Sequence, residues 1–314
     1  MRKFLLVCTL IAVCSCSSLE EKVVIEPAEL EDMVTFFASD ELKGRDTGSA
    51  GIEGAAIFIE EKFKSLDIKP YYKDYRDNFK AKGIDAFNLV GVIEGTDPKL
   101  KEEYIIIGAH YDHIGISKKI VDNDSIANGA NDNAAGTSSV LAMAKYFSKS
   151  KSNKRSLLFV LFSAEEKGLL GSAHLAKRLK SENINLYTMI NMEMIGVPFV
   201  DRDYVAFATG YDLSNIAEKM NEYAGSHLIG SSDVAKKYNL FRQSDNYAFY
   251  KEFKLPCHTI SSCDLSNYDF YHHVDDEADK LDYNHMAQLV NAIIPTIEKM
   301  SNTPTKEIKM HNEE

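Results

Sequence analysis

The sequence predicts an α/β domain in which short buried strands alternate with amphipathic helices. Three apolar runs of strand length, Tyr104–Ala109, Leu157–Phe162 and Tyr187–Met192, are separated by stretches of helical periodicity. That alternation builds a sheet covered by helices. The chain has 314 residues and 45% apolar content, enough for one large core or two modest ones, and the alternation favours one. Each of the three runs ends in groups able to bind a ligand: His110-Tyr111-Asp112-His113, Glu165-Glu166 and Glu193. Open α/β sheets bind ligands beyond the carboxyl ends of their strands, so the three motifs are expected on one rim.

The elements follow in order. Residues 1–16 read as a targeting signal: Arg2 and Lys3, an apolar stretch from Phe4 to Val13 too short to span a bilayer, then Cys14-Ser15-Cys16. Val13-Cys14-Ser15-Cys16 resembles a bacterial lipobox, with the small Ser15 before the cysteine to be lipidated, Cys16. Glu20-Glu21 resembles the surface-export signature of some bacterial lipoproteins. The alternative is a cleaved signal peptide that releases a soluble periplasmic protein. Residues 17–26 read as a charged tether, residues 27–303 as one folded domain and residues 304–314 as a polar tail. Helices are expected over Ala28–Phe37 and Ile52–Leu66, the latter with Ala55, Ala56, Ile59 and Phe63 on one face. A turn-rich loop, residues 39–51, separates them. Strands are expected over Asn88–Glu94, Tyr104–Gly108 and Tyr204–Ala208, and helices over Thr137–Phe147 and Leu169–Leu179. Met286, Leu289, Val290, Ile293, Ile294 and Ile297 trace a last helical stripe, which Pro295 is expected to kink.

A formal net charge of -11 argues against nucleic acid as a partner, because phosphate binding needs a basic face. It is compatible with a cationic substrate such as a peptide amino terminus. Beyond the signal only Cys257 and Cys263 remain. They either close a small disulfide loop or stay separate buried thiols, and no Cys-x-x-Cys spacing offers a zinc site.

Six residues carry the chemistry: His110, Asp132, Glu165, Glu166, Glu193 and His272. Five can ligate metal, leaving one as a base. An isolated Glu-Glu pair is ordinarily a solvated turn. Past the end of a buried strand, successive side chains diverge, so one carboxylate can hold a metal while its neighbour faces the water on that metal. Histidine and carboxylate without thiolate suit zinc, manganese or cobalt. Asp132 lies in Gly129-Ala-Asn-Asp-Asn-Ala-Ala-Gly136, where small residues allow close backbone approach, and one aspartate can bridge two ions. Asp112, two residues after His110, is placed to orient an imidazole. His113 and His273 are read as non-ligands.

These residues resemble the M28 zinc peptidase family. The resemblance rests on His110-Tyr-Asp112, Asn131-Asp132-Asn133-Ala-Ala-Gly136, Ser163-Ala-Glu165-Glu166-x-Gly168-Leu-x-Gly171-Ser172, Asn191-x-Glu193-Met-Ile-Gly196 and Tyr271-His272, in one order. Ala38-Ser-Asp-Glu-Leu-x-Gly-Arg45 through Gly48-Ser-x-Gly51 is similar to that family's amino-terminal segment. The resemblance implies a three-layer α/β/α sandwich with a mixed, mostly parallel central sheet, and a two-zinc aminopeptidase acting on peptides with a free amino terminus. It implies that Asp132 bridges the ions, His110 and Glu193 complete one site, and Glu166 and His272 complete the other. Glu165 becomes the general base and Asp112 the support of His110. The family usually has aspartate where this chain has Glu193, so the strand end must sit back or the coordination must change. Ser244-Asp245-Asn246 stands where relatives often carry Ser-Asp-His; Asn246 is given no role, and Asp245 is read as either supporting a metal ligand or fixing its loop. Tyr247, Tyr250, Tyr268 and Tyr271 cluster nearby, as pocket wall or core. The other readings are a glutaminyl cyclase (a one-zinc acyltransferase of similar fold) and a catalytically silent surface binding protein.

Overall fold

The computed structural model describes residues 23–311. The targeting signal, Cys16 and most of the tether lie outside the described residues. In chain order the elements are α1 (Pro27–Phe37), α2 (Ala50–Ser65), β1 (Lys69–Pro70), β2 (Arg76–Ala81), β3 (Ile84–Ile93), β4 (Tyr104–His110), β5 (Gly115–Val121), β6 (Asp124–Ala127), α3 (Gly136–Ser150) and β7 (Ser156–Phe162). They continue with α4 (Leu170–Ser181), β8 (Leu186–Met192), β9 (Ala206–Ala208), α5 (Ile216–Ala224), β10 (Ile229–Gly230), α6 (Asp233–Lys237), α7 (Asn246–Phe253), β11 (Cys257–Ser261) and α8 (Tyr283–Asn302).

One mixed sheet runs β1-β3-β7-β4-β8-β11-β9-β10, with β2 also paired to β3. Its four central strands, β7, β4, β8 and β11, are parallel. The antiparallel pairings lie on the flanks, where β3 meets β7 and β9 meets β11. All four are buried, which is why β7, β4 and β8 read as apolar runs; β11, Cys-His-Thr-Ile-Ser, is equally buried but does not. Ile105, Ile107, Leu157, Phe159 and Leu161 face the core under α1, α2, α3, α5 and α8. Ile106, Leu158, Val160 and Phe162 face the core under α4 and α7. Helices on both faces make the expected three layers.

Local signals explain the helices. Ser49 caps α2, its hydroxyl accepting from Ile52 N at 3.2 Å, and Ile52, Ala55, Ala56, Ile59 and Phe63 form the buried stripe. Asp282 caps α8 through His285 N at 2.9 Å. A single helix runs through Pro295, which lies on the exposed side, where the missing amide costs least.

Both ends of the described chain are seated rather than loose. Ile25, predicted as tether, is 1% exposed, and its backbone exchanges hydrogen bonds with the Asn291 side chain at 3.0 and 2.8 Å. In the predicted tail, Ile308 is 3% exposed and its amide donates to Tyr187 Oη at 2.9 Å. In each segment a buried apolar side chain together with backbone hydrogen bonds docks the chain. Cys257 and Cys263 are both buried free thiols, so of the two readings the structure has the separate thiols.

His258 on β11 is buried between polar partners. Its Nδ1–H donates to Thr209 O at 2.7 Å, and the Ser214 hydroxyl pairs with its Nε2 at 2.7 Å. Burial lowers its pKa from 6.5 to about 4. The unfolded chain therefore binds a proton that the folded chain refuses. The stability held at neutral pH is lost as pH falls from about 6.5 to 4, by on the order of 3 kcal/mol. Urea midpoints across this window are expected to fall less steeply in His258→Gln than in the wild type; equal slopes would remove His258 from the acid response.

Candidate metal centre

The register of the parallel strands creates the centre. His110 pairs with Phe162 and Gly108 with Asn191, so β4, β7 and β8 end level with one another. Glu165 and Glu166 then leave from the end of β7 and Glu193 from the end of β8, on either side of His110 at the end of β4. His272 comes from the loop after β11, and Asp132 from the turn at 130–135 that leads into α3. Ala164, Met194 and His272 have φ of 59°, 49° and 55°, the left-handed region that L residues enter at a cost of about 1–2 kcal/mol. Those kinks turn the chain sharply at the rim and aim the donors inward.

Two donor sets result: His110 with Glu165 and Glu193, and His113 with Asp132, Glu166 and His272. Within each set, one ligand atom per residue lies within 4.8 Å of all the others. Asp132 joins the two. Its Oδ1 is 3.3 Å from His110 Nε2, and its Oδ2 is 3.3 Å from His272 Nε2. His272 Nε2 is also 3.1 Å from Glu166 Oε1. All seven residues predicted for the site, His110, Asp112, Asp132, Glu165, Glu166, Glu193 and His272, thus meet at one rim. The grouping also brings in His113, which sequence reasoning set aside.

Asp112 works differently from the expectation. His110 Nδ1 meets the main-chain carbonyl of Asp112 at 3.1 Å, whereas the Asp112 carboxylate stands 3.9 Å away. That carboxylate accepts from Glu165 N at 3.1 Å, Glu166 N at 3.4 Å and the Thr47 hydroxyl at 3.1 Å. Asp112 therefore orients His110 with its backbone and holds the Glu165-Glu166 turn with its side chain.

The flanking asparagines stitch the Asp132 turn to the end of β8. Asn133 Nδ2 donates to Met192 O at 2.9 Å, and its Oδ1 accepts from Met194 N at 3.1 Å. Asn131 Oδ1 accepts from Gly196 N at 2.8 Å. Gly136 permits this approach, since a Cβ there would lie 2.3 Å from Met192 O. The longer Glu193 is accommodated by a turn of its carboxylate onto Ser244, whose hydroxyl donates to Oε2, with Asn191 Nδ2 at 3.3 Å.

Two supporting residues had no role assigned from the sequence. Asp276 accepts from Asn131 N at 2.8 Å and Asp132 N at 3.0 Å, and from the Tyr268 hydroxyl at 2.6 Å. Arg45 is fully buried and donates to Tyr111 O at 2.9 Å, Asn128 O at 2.7 Å, Gly129 O at 3.0 Å and Phe37 O. A Gly-Arg pair after a short acidic stretch marks Arg45 as unusual in the sequence. Little in the sequence marks Asp276: Tyr268 is 8 residues away, but the two amides it holds, those of Asn131 and Asp132, are 145 and 144 residues away.

Charge is unevenly distributed here. Burial and the charge of Asp132 push Glu193 up to about 7, against the pull of His110. Burial pushes Glu165 well above the carboxylate range, and Glu193 and Asp245 add to the effect. Burial alone would lower His272, but Asp132 and Glu166 raise it to about 10. Asp245 is fully buried beside the centre, and burial raises it to about 7. Asn246 is structural, donating to Phe241 O and Cys257 O at 3.2 and 3.3 Å. Tyr271 stacks on His272 with ring centroids 4.0 Å apart, while Tyr247 and Tyr250 pack around Phe241.

The residues present fit a divalent cation. His110 Nε2, His113 Nδ1 and Asp132 Oδ2 are buried without hydrogen-bond partners, although buried polar atoms are normally satisfied. They sit among carboxylates whose crowding only positive charge relieves. Nitrogen and oxygen donors without thiolate match zinc or a neighbouring transition metal.

Comparison with known proteins agrees with this class of centre. The model of Peptidase family M28 matches residues 88–297, and the chain belongs to that family. It is 27% identical over 178 residues to a probable zinc metalloprotease of Pyrenophora tritici-repentis, covering 53% of this chain and 40% of that protein. It is 25% identical over 262 residues to a probable leucine aminopeptidase of Trichophyton verrucosum, covering 81% of this chain and 66% of that protein. The chain thus spans well under half of the first relative and about two thirds of the second. BSAP, a zinc aminopeptidase of Bacillus subtilis, has a similar fold: TM-score 0.69 at 14% identity, covering 89% of this chain and 96% of that one. A glutaminyl cyclase of Fimbriiglobus ruber has it too, with TM-score 0.70 at 17% identity, covering 88% and 96%.

Proposed function

We propose that the protein is a two-zinc aminopeptidase that hydrolyses the first peptide bond of peptides with a free amino terminus. The observation that carries this reading is the position of Asp132, each of whose carboxylate oxygens stands 3.3 Å from a different histidine. His110, Glu193 and Asp132 would hold one ion, and Glu166, His272 and Asp132 the other. Bound zinc supplies a water acidified toward neutral pH and polarises the scissile carbonyl.

The chain's own groups do the rest. Glu165, raised by burial and its acidic neighbours, takes the proton of the attacking water on its carboxylate and returns it to the leaving amine. Asp112 holds the Glu165 amide at 3.1 Å and so fixes the base. A small pocket beside Glu193, about 50 Å³, is walled by Met194, Phe207, Leu240, Leu265 and Tyr271 together with Thr209, Gln243, Ser244 and Thr259, and suits a small first side chain. The surplus of carboxylates suits the ammonium group of a free amino terminus.

A fold shared with glutaminyl cyclases does not separate the two chemistries; a second donor set on the His110 side favours the peptidase. Elemental analysis is expected to give two zinc ions per chain. Exhaustive chelation is expected to abolish release of the first residue from an unblocked peptide, and zinc to restore it, while the N-acetylated peptide stays intact. Activity that survives chelation, or cyclisation of an amino-terminal glutamine without cleavage, would overturn the reading.

Residues 1–16 further support a proposal of export with anchoring through a lipid on Cys16. Cys16→Ser is expected to move the protein out of the membrane fraction; unchanged partitioning would oppose the anchor.

A further inference from the structure

We propose that His113 is a third imidazole donor of the centre and ligates the ion on the His272 side. The inference rests on the two-ion reading above and adds to it a residue that the sequence motifs leave aside. His113 is 0% exposed, and neither ring nitrogen has a hydrogen-bond partner. Nδ1 lies 3.1 Å from Glu166 Oε1 and 3.7 Å from Asp132 Oδ2. At 3.1 Å Nδ1 is close enough to Glu166 to pair with it, yet it is buried without a satisfied hydrogen bond. Donor atoms that approach closely without bonding one another are what a shared cation between them produces.

The surroundings hold the ring there. The His113 amide donates to Arg45 O at 3.3 Å. Gly129 makes room for the imidazole, since a Cβ at that position would lie 2.5 Å from it. The His272 ring stands edge-on, with centroids 5.6 Å apart and planes at 69°, so the two imidazoles converge without stacking.

The consequence is an asymmetric centre. With His113, the His272 side has four protein donors: His113, His272, Glu166 and Asp132. Four donors close a tetrahedral zinc site, as in structural centres. The His110 side has His110, Glu193 and Asp132, which leaves a position open, as in catalytic centres. The ion on the His272 side is then the anchored one, and the ion on the His110 side is the exchangeable one that meets water and substrate.

Zinc K-edge X-ray absorption on the fully loaded wild-type protein, paired with its metal content, tests this. The expected result is two ions sharing three imidazoles. His113→Ala is expected to lower the count to two and to weaken the tighter of the two zinc affinities by more than the roughly ten- to hundredfold that loss of an outer-shell partner costs, read by titration against a competing chelator. Two ions sharing only two imidazoles in the wild type would overturn the assignment of His113 and leave the two-ion centre standing. One ion or none would overturn the two-ion reading itself.

Discussion

Glu165→Gln is expected to retain both ions and to lose roughly 10²- to 10⁴-fold in turnover of an unblocked peptide. Glutamine keeps the length, volume and backbone hydrogen bond of Glu165 but cannot take up a proton. The test discriminates because Glu165 also lies within the His110 and Glu193 donor set. If Glu165 were a ligand rather than the base, the variant would lose an ion along with its activity. Elemental analysis beside the kinetics separates the two cases. Full turnover in Glu165→Gln would remove it from the chemistry altogether.

Arg45→Met is expected to destabilise the fold by about 3–5 kcal/mol and to lower metal occupancy with it. Arg45 bonds the carbonyls of Phe37, Tyr111, Asn128 and Gly129, and so ties the end of α1 to the two segments that carry His110 and Asp132. Burial lowers its pKa to about 10, and the nearby carboxylates of Asp276, Asp132, Asp112 and Glu166 hold it up, so it is charged at neutral pH. Methionine fills much of the space but leaves those acceptors unmet and the carboxylates short of a positive charge. Arg45→Lys is expected to recover only part of the loss, because an ammonium cannot span four carbonyls in separate directions. Urea unfolding of the metal-free protein measures the effect. A change below about 1 kcal/mol would mean that water or rearranged side chains satisfy those carbonyls.

The sequence made the sheet legible because β4, β7 and β8 are buried and read as apolar runs bounded by polar turns. The level ends of those strands made the donors legible as well: His110, Glu165, Glu166 and Glu193 each lie within a few residues of a strand end. The elements that escaped were those without such a pattern. β2 carries Arg76, Asp77, Asn78 and Lys80 on an edge, and the hairpin of β5 and β6 is largely exposed. β11, Cys257–Ser261, is short and itself carries His258, Thr259 and Ser261, although it is fully buried beside β8.

The metal-centre residues illustrate the same division. Asp132 and its two asparagines could be read as a unit because small residues surround them. That Asn131 and Asn133 hold the end of β8 could not be read, because their partners lie some 60 residues away. His113 looked like a bystander because, at the level of sequence, one residue past Asp112 carries no direction. Only the path of the turn after β4, held by Arg45, swings its ring toward Glu166.

The chain by itself determined which groups are available: imidazoles and carboxylates at the ends of buried strands, with no thiolate among them. Tertiary structure alone decided how those groups divide between two sets, which oxygen of Asp132 faces which histidine, and that Asp112 holds the Glu165 turn with its side chain. The reason is physical. Donor identity is covalent and local, whereas the direction of a lone pair depends on strand register, left-handed turns and buried hydrogen bonds between segments far apart in the chain.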